Sequence, residues 1–179
     1  MEAPSAASFQ AAKTRRHNEL TLAGLHPGRD SLGKAVRALG GPNSKSSESS
    51  TPTWEFRSQN SYIFLSLDCD AKGTIQTVRV FQVSPSGVNV EGASPWPVTR
   101  LYTGRGVGIG GDYAQVLELY GNPDSRSPST KGGQPLQLLY YAFDWAGPDV
   151  PQVMQVVCTQ EENGQPGRVV EITLAASSL

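Results

Sequence analysis

One order of segments occurs twice in this chain: a short amphipathic helical stretch closed by glycine, a polar loop, and three strand-length apolar runs. In the first half the helix is expected at 31–39, where Leu32, Ala35, Val36 and Leu39 recur at the spacing of one buried stripe. Asp30 or Ser31 supplies its N-cap, and Gly40-Gly41-Pro42 ends it, because glycine takes the left-handed cap and proline cannot continue the helix. In the second half 112–120 reads as the helix, with Tyr113, Val116, Leu117 and Tyr120 on one side and Gly121-Asn122-Pro123 as its stop. Strands are expected at Thr53–Arg57, Tyr62–Cys69 and 74–83, and again at 136–143, 152–159 and 168–175. Placing 36–41 over 116–121 gives an offset of 80 residues, and Val78-Arg79-Val80 falls on Ile172-Thr173-Leu174. The fold class is therefore α+β, two related helix-plus-antiparallel-sheet units arisen by duplication; two unrelated α+β halves that share common turn residues are the alternative.

The boundaries follow from texture. Residues 1–18 hold too little apolar surface to offset the entropy of ordering them and read as a disordered arm. The first unit is 19–84, a Pro/Gly-rich connection occupies 85–100 with room for one short strand at 88–90, and the second unit is 101–179. The segment 124–135, DSRSPSTKGGQP, reads as a polar loop.

Composition narrows the function. Fifteen Lys+Arg stand against 16 Asp+Glu, and charged residues make up 17% of the 179, where a soluble domain usually carries about 25%. A chain that grips nucleic acid by bulk charge is excluded. No apolar run approaches the roughly 18–20 residues of a membrane-spanning helix.

No catalytic, cofactor or metal signature stands out. Gly106-Val107-Gly108-Ile109-Gly110-Gly111 satisfies G-x-G-x-x-G, but the preceding residues make a poor buried strand and no acidic residue closes a second strand about 20 residues on, so it reads as a flexible turn before a helix. His17 and His26 are the two histidines, too few for a transition-metal site. The second reading of the chain is a small hydrolase or ligand-binding protein whose site no motif singles out, using groups such as Asp68, Asp70 or His26; a purely structural subunit is the third. Cys69 and Cys158 end the two middle strands: they form a disulfide if those ends meet, or stay small apolar core residues if they do not. The aromatics are the remaining lead. Trp54, Phe56, Tyr62, Phe64, Tyr141, Phe143 and Trp145 are candidate partner-binding residues, with packing beneath the helices as the alternative for each.

Gly110-Gly111-Asp112-Tyr113-Ala114-Gln115-Val116 followed by Leu119-Tyr120-Gly121-Asn122-Pro123 resembles the G-x(5)-V-x(2)-hydrophobic-G-x-P signature of the small bacterial outer-membrane lipoproteins of the SmpA/OmlA type. The first half carries a variant in Gly28, Val36, Leu39, Gly41 and Pro42, two residues longer between Gly and Val, followed by Trp54-Glu55-Phe56. The duplicated unit also resembles β-lactamase inhibitory protein, in which tandem units set a concave sheet against a partner. The resemblance implies a noncatalytic, periplasmic or secreted module that binds a protein or another cell-envelope component, with no cofactor and no nucleic acid. Its signal peptide is taken to be absent from this sequence.

Overall fold

The computed structural model describes residues 16–43, 50–57, 61–83, 100–165 and 167–177. The expected strand at 88–90 lies outside these, as do residues 1–15 of the expected arm. Ser31 caps helix α1 (Leu32–Leu39), its side chain accepting from Lys34 N–H, and Gly40 closes it at φ 82° with its N–H on Val36 O. Helix α2 (Tyr113–Tyr120) starts at Asp112 and ends at Gly121, φ 78°, with its N–H on Leu117 O. The two C-caps set the helical correspondence at 81 residues, from Gly40 to Gly121, rather than the expected 80.

Strands β1 (Thr53–Arg57), β2 (Tyr62–Cys69), β3 (Ile75–Val83), β4 (Ser125–Lys131), β5 (Gln134–Ala142), β6 (Val153–Thr159) and β7 (Val169–Ala175) form one antiparallel sheet in the order β1-β2-β3-β7-β6-β5-β4. The chain is thus a mixed α+β protein. The expected polar loop after α2 is in fact strand β4. Its residues are exposed on both sides, which removes the apolar alternation that marks a strand, but an edge position tolerates this and also Pro128. Gly132 and Gly133, both at positive φ, make the tight turn into β5.

Leaving β4 aside, the two halves carry one set of contacts twice. In the first, Leu32 N–H donates to Gly73 O, Ile75 N–H to Asp30 O, and Ser31 bridges Thr74; in the second, Tyr113 N–H donates to Gly167 O, Val169 N–H to Gly111 O, and Asp112 bridges Arg168. Cys69 pairs with Ile75 after a bulge at Asp68/Cys69, and Cys158 pairs with Val169 after a bulge at Val157/Cys158. At the junction Val78 pairs with Leu174 and Val80 with Ile172, so Arg79↔Thr173 lies on a local twofold. Such reciprocal pairing is the rule of an isologous interface.

One face of the sheet carries the core. Trp54, Leu65, Val80, Ile172, Val156 and Leu139 form one cross-strand row, none of them more than 1% exposed, and Leu67, Val78, Leu174, Met154 and Tyr141 form the next. The helices add Ala35, Val116 and Tyr120 to this core. Each large side chain buried here contributes about 1.5–3 kcal/mol.

The opposite face is curved. In a flat sheet β4 would lie three strand spacings, about 14 Å, from β7 and about 19 Å from β3. Yet the Lys131 ammonium lies 3.8 Å from Glu171 Oε2 in β7 and 5.0 Å from the Phe81 ring centre in β3. No lysine side chain bridges those flat-sheet gaps, so the sheet curls and the β4–β5 hairpin leans over its second face.

Candidate functional site

Six of the seven aromatic candidates are buried. Trp54, Phe56, Tyr141 and Phe143 lie on the core face at 3% exposure or less, where strand alternation directs them under the helices. They are core residues, not a contact surface. Trp54 Nε1 donates to Gly40 O and the Tyr141 hydroxyl donates to Gly121 O, both at 3.0 Å, so each ring ties a strand to a helix C-cap. Tyr62 and Phe64 do point to the second face but are each only 8% exposed. Trp145, in the short 3-10 turn Asp144–Ala146, is 50% exposed, edge-on to Phe143, with its Nε1 on Ala142 O.

Cys69 and Cys158 are free thiols. Two strands separate β2 from β6, about 14 Å across, and the antiparallel β3–β7 junction puts the cysteines at opposite ends of the sheet. A disulfide needs Cα atoms within about 7 Å. The local twofold is what separates them: it relates the two strand ends without bringing them together.

The second face holds a cluster that alternation alone half reveals. Phe81 and Arg79 face away from core residues Val78 and Val80 on the same strand. Phe64 stacks on Phe81 with ring centres 5.4 Å apart, and the Arg79 guanidinium sits 4.4 Å over the Phe81 ring. Arg79 Nε and Nη2 donate to the two oxygens of Glu171 at 2.8 Å each, and Lys131 completes the group. The Arg79 and Lys131 side chains remain 41% and 46% exposed. Beyond Glu171 the same row continues through half-buried Val157 and Leu138. Lys131 could not have been picked from the sequence, since only the curl of the sheet brings it here.

Comparing the halves isolates this cluster. On the core face the register matches Trp54 with Tyr141, Phe56 with Phe143 and Leu67 with Val156, all large and apolar. On the second face it matches Phe64 with Val153, Phe81 with Ala175 and Arg79 with Thr173. A shared need to fill the core explains the first set. On the second face the halves differ: Phe64, Phe81 and Arg79 stand in one, and Val153, Ala175 and Thr173, none more than 6% exposed, in the other.

The remaining candidates do not converge. Asp70 spends its carboxylate on its own turn, accepting from the N–H groups of Lys72 and Thr74 and from Gln76 Nε2. Asp68 is exposed on β2. The His26 ring contacts Pro27 O, and the His26 backbone N–H donates to Asp30 Oδ2. Burial alone would raise the pKa of Asp30, but hydrogen bonds from Lys34 and the His26 N–H outweigh it and the net shift is downward. His26, Arg29, Asp149 and Val150 line an open cleft of about 450 Å³, and a second cleft of about 610 Å³ is lined by Gln134, Pro135, residues 159–163, Gln165 and Arg168. No group of three or more His, Cys, Asp or Glu able to hold a metal ion occurs among the described residues. No helix among them is long and apolar enough to cross a membrane.

The glycine-rich loop is a packing element. Gly106 N–H donates to Thr103 O, Val107 N–H to Thr103 Oγ1, Gly110 N–H to Val169 O and Gly111 N–H to Gly108 O. These donors are spent within the chain instead of cradling a phosphate. Nearby, Glu19 is 2% exposed and accepts from the N–H groups of Leu20, Thr21 and Arg105 and from the Tyr120 hydroxyl at 2.5 Å. Arg16 pairs with Asp124, and Asn18 O accepts from Arg105 Nε, so residues 16–18 of the expected arm are engaged with the second half.

No family model and no curated protein matches the sequence. Among solved structures the chain is similar to a DUF4309 family protein of Bacillus subtilis, at 15% identity and TM-score 0.47, over 89% of this chain and 88% of that one. It is also similar to a cysteine-rich secretory protein of Staphylococcus aureus, at 13% identity and TM-score 0.40, over 90% of this chain and 48% of that one, about half of that protein's length.

Proposed function

We propose that this chain is a noncatalytic binding module of the bacterial cell envelope, periplasmic or secreted, that docks a protein partner on the curved second face of its sheet. The observation that carries this reading is the Phe64–Phe81–Arg79–Glu171–Lys131 cluster, which has no counterpart in the other half although the cores correspond. Aromatic and arginine side chains are the usual energetic centres of protein interfaces. We also infer that the two halves are copies of one helix-plus-sheet unit. The recurring cap, bridge and bulge contacts support that, as does the twofold at Arg79↔Thr173. The resemblance to SmpA/OmlA-type lipoproteins and to β-lactamase inhibitory protein belongs to this same reading. Trp145 is an outlying contact in it, since one exposed tryptophan is ordinary on a protein surface.

A photo-cross-linking amino acid at Gln155, on the second face, and in a separate variant at Glu118, on the outer side of α2, tests the docking face in a bacterial envelope extract. One dominant adduct from Gln155 only, lost on Phe81→Ser, is expected. Adducts from Glu118 only, or a Gln155 adduct that survives Phe81→Ser, overturn the reading.

A further inference from the structure

On the second face Glu171 lies between two cations, while Glu55 and Asp68 share that face farther out on β1 and β2. Glu171 takes both Arg79 donors at 2.8 Å, the bidentate geometry that makes guanidinium–carboxylate pairs strong. Lys131 reaches the same carboxylate only at 3.8 Å, keeps most of its three donors for other acceptors, and stays 46% exposed. The cluster therefore carries an excess of one positive charge beside half-buried aliphatic residues, Val157 and Leu138, on the same row. Both cations also cover the Phe81 ring, at 4.4 and 5.0 Å, so that ring offers no bare face on which a sugar could stack.

We propose that the occupant of this face is a protein segment that presents an Asp or Glu carboxylate flanked by apolar side chains. The carboxylate binds Lys131 and shares Arg79 with Glu171, and the apolar flanks settle on Val157 and Leu138. The proposal rests on the docking reading above and adds to it the chemistry of the partner. Electrostatic complementarity of this kind sets specificity and association rate and weakens as salt rises.

The test is an NMR titration of the isotope-labelled full chain with three seven-residue peptides that alternate valine with glutamate, glutamine or lysine, and with an oligogalacturonate as an acidic glycan. The glutamate peptide should shift the amides of Arg79, Phe81, Val157 and Glu171, bind at least tenfold more tightly than the glutamine peptide, and lose that margin in Lys131→Gln or in 0.5 M salt. Lys131 sits on an exposed edge hairpin, so that variant does not depend on disturbing the core. Equal binding of the glutamate and glutamine peptides at these residues overturns the acidic preference while the docking face stands. Binding of the oligogalacturonate alone overturns the protein occupant. No shift at these residues with any probe overturns the proposal, and the docking reading falls with it if the Gln155 cross-link is absent too.

Discussion

Trp54 Nε1 donates to the carbonyl of Gly40 at 3.0 Å, and the Tyr141 hydroxyl makes the matching bond to Gly121. Two different aromatic residues thus perform one task, closing the C-terminal end of a helix against the strand beneath it. Tyr141→Phe removes only the hydroxyl and leaves a buried carbonyl unsatisfied, a cost of about 1–3 kcal/mol. Trp54→Phe loses the same bond and some ring volume, and should cost more. Urea unfolding of both variants checks this; wild-type stability in Tyr141→Phe contradicts the role assigned to the bond.

The cysteines give a redox prediction. Reductant should leave the melting temperature unchanged, because Cys69 and Cys158 lie at opposite ends of the sheet. Burial pushes the Cys158 thiol up to about 12, and burial, followed by the charges of Asp68 and Asp70, raises that of Cys69. Since the thiolate is the nucleophile, a thiol reagent at pH 8 should modify half-buried Cys69 slowly and Cys158 only after unfolding. Loss of stability on reduction would contradict the separation.

Alkaline pH should unfold the chain through two tyrosines. Burial, then the charge of Glu19, raises Tyr120 well above the ordinary 10.0; burial is also the leading cause for Tyr141. A group whose folded pKa is raised contributes stability that is whole below its unfolded value and is lost as pH climbs from there toward the folded value. Phenolate absorbance should therefore show two tyrosines that ionise only as the chain unfolds, and Tyr120→Phe should flatten the alkaline decline in stability. An unchanged alkaline profile in that variant contradicts the assignment.

The glycine-rich loop makes a separate prediction. Gly110 sits at φ 85° with its N–H on Val169 O. Gly110→Ala should cost about 1–2 kcal/mol from backbone strain alone, since an added Cβ meets nothing within 4 Å. Millimolar ATP or NAD should leave the wild-type melting temperature unchanged. A rise with nucleotide contradicts a purely structural loop.

Much of this fold could be read from local chemistry. Glycine stops, Ser31 as cap, and alternation in β2 place both helices and six strands within two residues or so of their observed ends. Strand β4 escaped because an edge strand exposed on both sides shows no period. The site was less legible, and for a different reason. Trp54, Phe56, Tyr141 and Phe143 are equally good sequence candidates for an interface or a core, and only the position of the helices decides between them. Lys131 joins Phe81 through a curl that involves five strands, from β3 to β4, and no local motif.

Residue-level carbene footprinting of the full chain, alone and in a bacterial envelope extract, bears most directly on the claim that the second sheet face is the working surface. Labelling should fall at Phe81, Leu138 and Tyr140, which pairs with Gln155 on that face, and stay unchanged at Tyr102 and at Leu20, which are exposed elsewhere. Protection of Tyr102, Leu20 or the His26 cleft with Phe81, Leu138 and Tyr140 unaltered would contradict it.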